Sequence, residues 1–398
     1  MKTVKKIIVS FSIVTIVLIN TLVFAGVKNE QCIQFKDGRV VQGYVIGMDT
    51  NIVKIKTSAG KIVIRLVDDI VSAKDCINTR GTIEAKEKQI NLSNILHDQP
   101  APKLFTEFGL STKYINGNST YHISFDDSWA NGGHGESELE FPYDNFMTGI
   151  TLAIGSKYTE KPKQTRGLLT LSFFYSPSMD SGTMKDSDWI ENDAAFEEPP
   201  HAGKDCYTES DAEFTGLIFD INYAYHFSLN NNWTLGPMIG YKHMDFNFDI
   251  YGYSGTYWTT PVSGTGKVLE YDVHYKLPYI GLSSNLLFGK KDQFQLNFTF
   301  GYSPWAKVKD SDDHLLRYKL SEGDCDGHAY LANINIDWNF YSNWTLGLGA
   351  EYVNIDTSGK QHQSWYDGPY AGSTIDVNDN KITSSYWSAM FSISYAFF

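Results

Sequence analysis

Residues two apart fall on the same side of an extended chain, and long stretches of this sequence alternate on that period. Phe294, Leu296, Phe298, Phe300 and Tyr302 alternate with Gln293, Gln295, Asn297, Thr299 and Gly301. Ala332, Ile334, Ile336, Trp338 and Phe340 alternate with Asn333, Asn335, Asp337 and Asn339. Leu217, Phe219, Ile221, Tyr223, Tyr225 and Phe227 alternate with Asp220, Asn222, Ala224, His226 and Ser228. Each run predicts a strand with one apolar row and one polar row. The turns come in two lengths. Asn230-Asn231-Asn232, Gly289-Lys290-Lys291-Asp292 and Ser342-Asn343 are tight, while the connections between them are long and polar. From Lys103 onward this predicts ten strands in up-and-down order, starting near residues 103, 135, 166, 209, 233, 268, 293, 328, 344 and 383.

Periodicity alone fits a soluble sandwich with the apolar row inside and a membrane barrel with that row outside. The two ends of the chain favour the barrel. Lys2, Lys5 and Lys6 lead into an apolar stretch from Ile7 to Phe24, which reads as a secretory signal over residues 1–25, cleaved after Ala25. At the other end, Phe391-Ser392-Ile393-Ser394-Tyr395-Ala396-Phe397-Phe398 alternates up to a terminal aromatic, as the last strand of an outer-membrane barrel does. Asn232-Trp233-Thr234-Leu235-Gly236 recurs as Asn343-Trp344-Thr345-Leu346-Gly347, placing a Trp after each short turn, where an interfacial girdle is expected. The expected fold is therefore all-β: a ten-stranded antiparallel transmembrane β-barrel over residues 103–398. Short turns belong to the periplasmic side and long loops to the outside. A barrel of this size has its interior largely filled by side chains, which disfavours a passive channel.

Two further segments precede the barrel. Residues 26–97 carry short β-rich runs punctuated by Asp37-Gly38 and Ser58-Ala59-Gly60, predicting a small SH3- or Sm-like domain on the periplasmic side. Asp98-Gln99-Pro100-Ala101-Pro102 reads as a linker. The net charge of −13 makes nucleic acid an unsuitable partner and favours basic ones, and the 15% aromatic content can supply the girdles. An exported chain with four cysteines is read as having disulfides: Cys32 with Cys76 and Cys206 with Cys325 is the preferred pairing, although spacing does not fix connectivity. No two cysteines stand at zinc-ligand spacing.

The candidate chemistry sits in two short motifs, Met184-Lys185-Asp186-Ser187-Asp188-Trp189 and Asp310-Ser311-Asp312-Asp313-His314. In extended chain, Asp186 and Asp188 share one face, and Asp312 and His314 share another. Cleaving a neutral peptide bond needs an activated water and protonation of the leaving amine. An imidazole backed by a carboxylate can serve as base and then as acid, and a close carboxylate pair has at least one raised pKa. A solvated acidic loop with ordinary turn chemistry gives the same short patterns, so neither motif suffices alone.

Three pieces in order, Met184-x-Asp186-x-Asp188-Trp189, Lys276-Leu277-Pro278-Tyr279-Ile280-Gly281-Leu282 and Asp310-x-Asp312-x-His314, resemble the omptin family of outer-membrane endopeptidases across the whole barrel. The resemblance implies a metal-free peptide hydrolase of the aspartic type, with Asp186, Asp188, Asp312 and His314 as the catalytic set. It also implies that Asp310 is an acid selecting basic substrate residues, that Met184 lines the groove, and that Glu197 is a further pocket acid. A glutamate expected in the first outer loop is missing, and Asn118 stands near that position. That departure from the family pattern leaves the strictness of selectivity for arginine or lysine open. The resemblance further implies a monomer in the outer membrane of a Gram-negative-type cell, with its active site outside and lipopolysaccharide required for activity. Its partners would be peptides or proteins bearing basic residues. The alternative reading is an omptin-like surface adhesin that binds without cutting.

Overall fold

In a computed structural model of the chain, the described residues are 31–35, 40–48, 52–57, 62–66, 70–75, 104–127, 133–157, 164–190 and 203–397. The expected signal segment, the linker, Cys76 and Glu197 lie outside these residues. The chain divides into two units, Met1–Ala101 and Pro102–Phe398.

In the first unit, β1 (Gln31–Phe35), β2 (Val40–Met48), β3 (Ile52–Thr57), β4 (Ile62–Leu66) and β5 (Ile70–Asp75) form one antiparallel sheet in the order β4-β3-β2-β1-β5. Among the described pairings, β4 and β5 are its edges. Ile33 and Ile55 are fully buried there.

The second unit is a ring. Its ten long strands are β6 (Leu104–Asp127), β7 (Gly133–Lys157), β8 (Thr165–Ile190), β9 (Cys206–Tyr225), β11 (Trp233–Tyr257), β12 (Thr260–Phe288), β13 (Phe294–His314), β14 (Lys319–Tyr341), β15 (Trp344–Trp365) and β16 (Thr374–Phe397). The two-residue β10 (Phe227–Ser228) continues β9 beyond His226. Each strand pairs antiparallel with the next, and β16 pairs with β6, so the sheet closes with no free edge. The alternating rows sort as the sequence predicts. Leu110, Phe146, Ile150, Ile239, Ile280, Leu282, Phe298, Ile334, Ile336 and Leu348 point outward and stay exposed, forming an apolar band of the kind that faces lipid in a membrane barrel. Tyr114, Phe146 and Trp387 form an aromatic cluster on the upper border of that band.

Two features differ from the sequence expectation. Strands β12, β14 and β16 begin at Thr260, Lys319 and Thr374, about a third of a strand earlier than the polar composition suggested. Ladder pairing with neighbours holds these polar stretches extended, so most of each expected outer loop is strand. The interior is also not polar throughout. Its upper part is a buried aromatic plug in which Phe141 stacks on Tyr271 with ring centroids 4.0 Å apart, and Tyr143, Phe214, Phe246 and Phe248 close around them. Below the plug lies a polar chamber of about 930 Å³, lined in part by Lys113, Asp220, Lys242 and Glu351.

The expected Cys206–Cys325 bridge is absent, and both thiols are free and buried. Cys206 pairs in register with Asp188 on β8, whereas the Cys325 sulfur faces the Asn380 carbonyl, 3.6 Å away, on the β14–β16 side. The two residues occupy different arcs of the wall.

Candidate active site

Two strand ends build the site. On β13, Asp310, Asp312 and His314 share the inward face, and register sets them beside Val273, Tyr271 and Leu269 on one side and Gly323, Ser321 and Lys319 on the other. On β8, Met184, Asp186 and Asp188 pair with Ser210, Thr208 and Cys206. The ring order places β9, β11 and β12 between β8 and β13, so the two motifs look across an arc of the rim rather than along one hairpin. Met184, Asp186, Asp188 and His314 line one cavity of about 280 Å³. Its remaining wall includes Cys206, Tyr253, Tyr257, Leu269 and Arg317.

Behind the cavity, the Nε2 of His314 lies 2.9 Å from Oδ2 of Asp312, whose side chain is fully buried. That contact occupies one ring nitrogen and leaves Nδ1 as the one that can face the cavity. Burial lowers the pKa of His314, partly countered by the Asp312 charge, so the imidazole is neutral at neutral pH. Asp186 behaves oppositely: burial, then the charge of Asp188, raises its carboxyl well above the usual range. One wall therefore offers a neutral base and the other a carboxyl that retains a proton near neutrality. Among the described residues, this is an arrangement that can hold a water between an acceptor and a donor.

Asp310 sits one step deeper on the same face. It is buried, and no cation pairs with it among the described residues. Gly323 makes room for it, because a Cβ there would run into Oδ1 of Asp310. Burial and the charge of Asp312 push its carboxyl up to about 8. Glu197 lies outside the described residues.

Two cations near the site carry no distinctive mark in the sequence. Arg317 lines the cavity, and Lys319 is buried beside it. Burial opposes the Arg317 charge, but Asp186, Asp188 and Asp312 outweigh it and hold the guanidinium protonated. The only available signal was two basic residues within five positions of His314, a spacing that a solvated hairpin tip shares.

The fold and rim together define a class: a closed, membrane-type β-barrel carrying a carboxylate–imidazole cleft at one end. The family model of the omptin family matches residues 110–397, and the chain belongs to that family. It is 30% identical over 147 residues to the outer membrane protease OmpP of Escherichia coli K12, covering 34% of this chain and 44% of that protein. It is 24% identical over 208 residues to the plasminogen activator of Yersinia pestis, covering 51% and 61%. The matched segments thus span about half the length of these relatives. The crystal structure of the outer membrane protease OmpT from Escherichia coli superposes with a TM-score of 0.62 at 17% identity, over 75% of this chain and 98% of that one, so the barrel fold is shared.

Proposed function

We propose that this protein is an outer-membrane endopeptidase acting at the cell surface. In this reading a water held between the β8 and β13 motifs attacks the peptide carbonyl. His314 takes the water proton on Nδ1 while Asp312 stabilises the imidazolium, and the same proton then passes to the leaving amine. Asp186 and Asp188 hold the water from the opposite wall. The observation that carries the reading is the single cavity shared by Asp186, Asp188 and His314, with Asp312 directly behind the imidazole. The chain enters and leaves the barrel at its short-turn end, which supports a periplasmic position for residues 26–97. The test is hydrolysis of quenched peptides with Arg-Arg or Lys-Lys centres by barrel refolded with lipopolysaccharide, which the family resemblance makes the lipid to supply. Cleavage is expected; binding without cleavage would support the adhesin reading.

The pH dependence follows from the two walls. His314 must be neutral to accept a proton, so kcat/KM falls as pH drops through its lowered pKa, below the ordinary 6.5 of an imidazole. Asp186 must keep its proton to donate toward the water, so activity falls again as pH rises through its raised pKa. A bell with its acid limb below pH 6.5 is expected in initial-rate profiles; an acid limb above that value would contradict the assignment.

A preference for basic substrate residues is supported by Asp310, a buried acid with no cationic partner among the described residues. A bound ammonium or guanidinium would displace its proton. Asp310→Asn is expected to reduce the preference for Arg or Lys over Gln by roughly 30-fold, the equivalent of about 2 kcal/mol. The same change stabilises the folded barrel. The folded pKa of about 8 exceeds the ordinary 3.8, so this acid costs stability progressively as pH rises between those values. Denaturant titrations at pH 5 and pH 8 should show the variant's advantage growing with pH.

A further inference from the structure

The tetrahedral intermediate of peptide hydrolysis carries a full negative charge on the former carbonyl oxygen, and the rim is rich in carboxylates that repel it. The two motifs supply a base, a base-orienting acid and a carboxyl pair. None of these is a fixed positive charge.

Arg317 is one. It stands on the hairpin tip joining β13 to β14, three residues after His314, and its backbone N–H donates to the His314 carbonyl at 3.0 Å. The tip is held on both sides. Leu315 N–H donates to the Val268 carbonyl at 3.1 Å, and Tyr366 N–H donates to the Tyr318 carbonyl at 2.9 Å, while Tyr318 takes a left-handed conformation at φ 50°. From this pinned tip the side chain lines the cavity that also holds Asp186, Asp188 and His314, and it is the one cation among the described lining residues. Its guanidinium makes no ion pair or hydrogen bond among the described residues, although those carboxylates are close enough to shape its charge. Lys319 differs: it is buried beside Asp312 and does not line the cavity. An unengaged guanidinium aimed into a catalytic cavity has donors free for an oxygen anion, in a fixed planar fork that cannot lose its proton.

Resting on the endopeptidase reading, we propose that Arg317 is a further catalytic residue, the oxyanion-stabilising group of this site. The water oxygen bonds to the carbonyl carbon, its proton goes to Nδ1 of His314, and the carbonyl π pair moves onto oxygen beside the guanidinium. The pair then returns, the carbon–nitrogen bond breaks, and His314 protonates the leaving nitrogen. Arg317 gives up no proton at any stage.

The experiment is steady-state hydrolysis of a quenched Lys-Arg peptide by full-length protein refolded with lipopolysaccharide, comparing wild type with Arg317→Gln, Arg317→Lys and Arg317→Gly. Arg317→Gln should lower kcat by about 10²–10³-fold, as loss of one oxyanion donor does, with KM nearly unchanged. Arg317→Lys should keep part of the rate, and guanidinium ion added to Arg317→Gly should restore part of it. A rise in KM with kcat intact would make Arg317 a binding residue, and a rise in rate on removing it would make it an obstruction; either overturns the proposal. An equal loss in all three variants, with no rescue by guanidinium, would mark a structural role and overturn it too. If wild type cleaves normally and the variants match it, this inference alone fails. If folded wild type cleaves nothing, the endopeptidase reading fails and takes this one with it.

Discussion

His314→Ala and Asp312→Asn should each lower kcat/KM on a peptide with a basic centre by about 10³–10⁴-fold without unfolding the barrel. The alanine removes the one imidazole lining the cavity among the described residues. The asparagine acts less directly. Asp312 is fully buried, with Tyr271 and Ser321 as its inward neighbours in register, so the substituted amide would keep the position of the carboxylate. It would no longer stabilise the imidazolium, and its NH₂ group could favour the tautomer with the proton on Nδ1, the wrong nitrogen for accepting one from water. Heat-modifiable gel mobility reports the folded barrel independently of activity. A folded Asp312→Asn variant with near-normal kcat/KM would remove Asp312 from the mechanism.

Glu351→Gln should destabilise the barrel by about 3 kcal/mol in urea titrations. Glu351 projects into the interior below the plug, where Lys113 reaches one of its oxygens at 2.6 Å and Lys242 contacts the other. Lys242 also lies 3.3 Å from Asp220, so one buried cluster joins β6, β9, β11 and β15 across the lumen. Removing its central anion leaves two ammonium groups against a single remaining carboxylate, and an unpaired buried charge costs more than the pair was worth. Replacing Lys113 with Met together with Glu351→Gln should recover part of the loss, because it removes one of the stranded charges. An unchanged unfolding midpoint for Glu351→Gln would show that chamber water compensates the cluster fully.

Much of this arrangement was legible because a barrel wall obeys a simple period. The outward rows of Phe298 and Phe300, Ile334 and Ile336 can be read directly, and the tight turns at Asn230 and Ser342 give the strand count. The two-residue spacing within Asp186/Asp188 and Asp312/His314 likewise predicts which side chains share a face. What period two cannot give is what meets across the interior. Phe141 and Tyr271 stack, although they belong to strands far apart in sequence, and the aromatic plug follows from closure of the ring. The free thiols follow from closure as well: Cys206 and Cys325 each follow an acidic motif, yet the ring sets them on different arcs. Arg317 escaped notice because a cation on a hairpin tip is the commonest solvated feature, and only the tertiary placement of that tip turns it toward the cavity.

If a water held between Asp186/Asp188 and the Asp312–His314 pair hydrolyses peptide bonds beside basic residues, a diverse peptide library digested by the refolded protein will record it, with the new termini read by mass spectrometry and His314→Ala run in parallel. New termini next to Lys or Arg are expected, and they should vanish in the variant. A library left intact by folded wild type, or cut equally by His314→Ala, would contradict that mechanism.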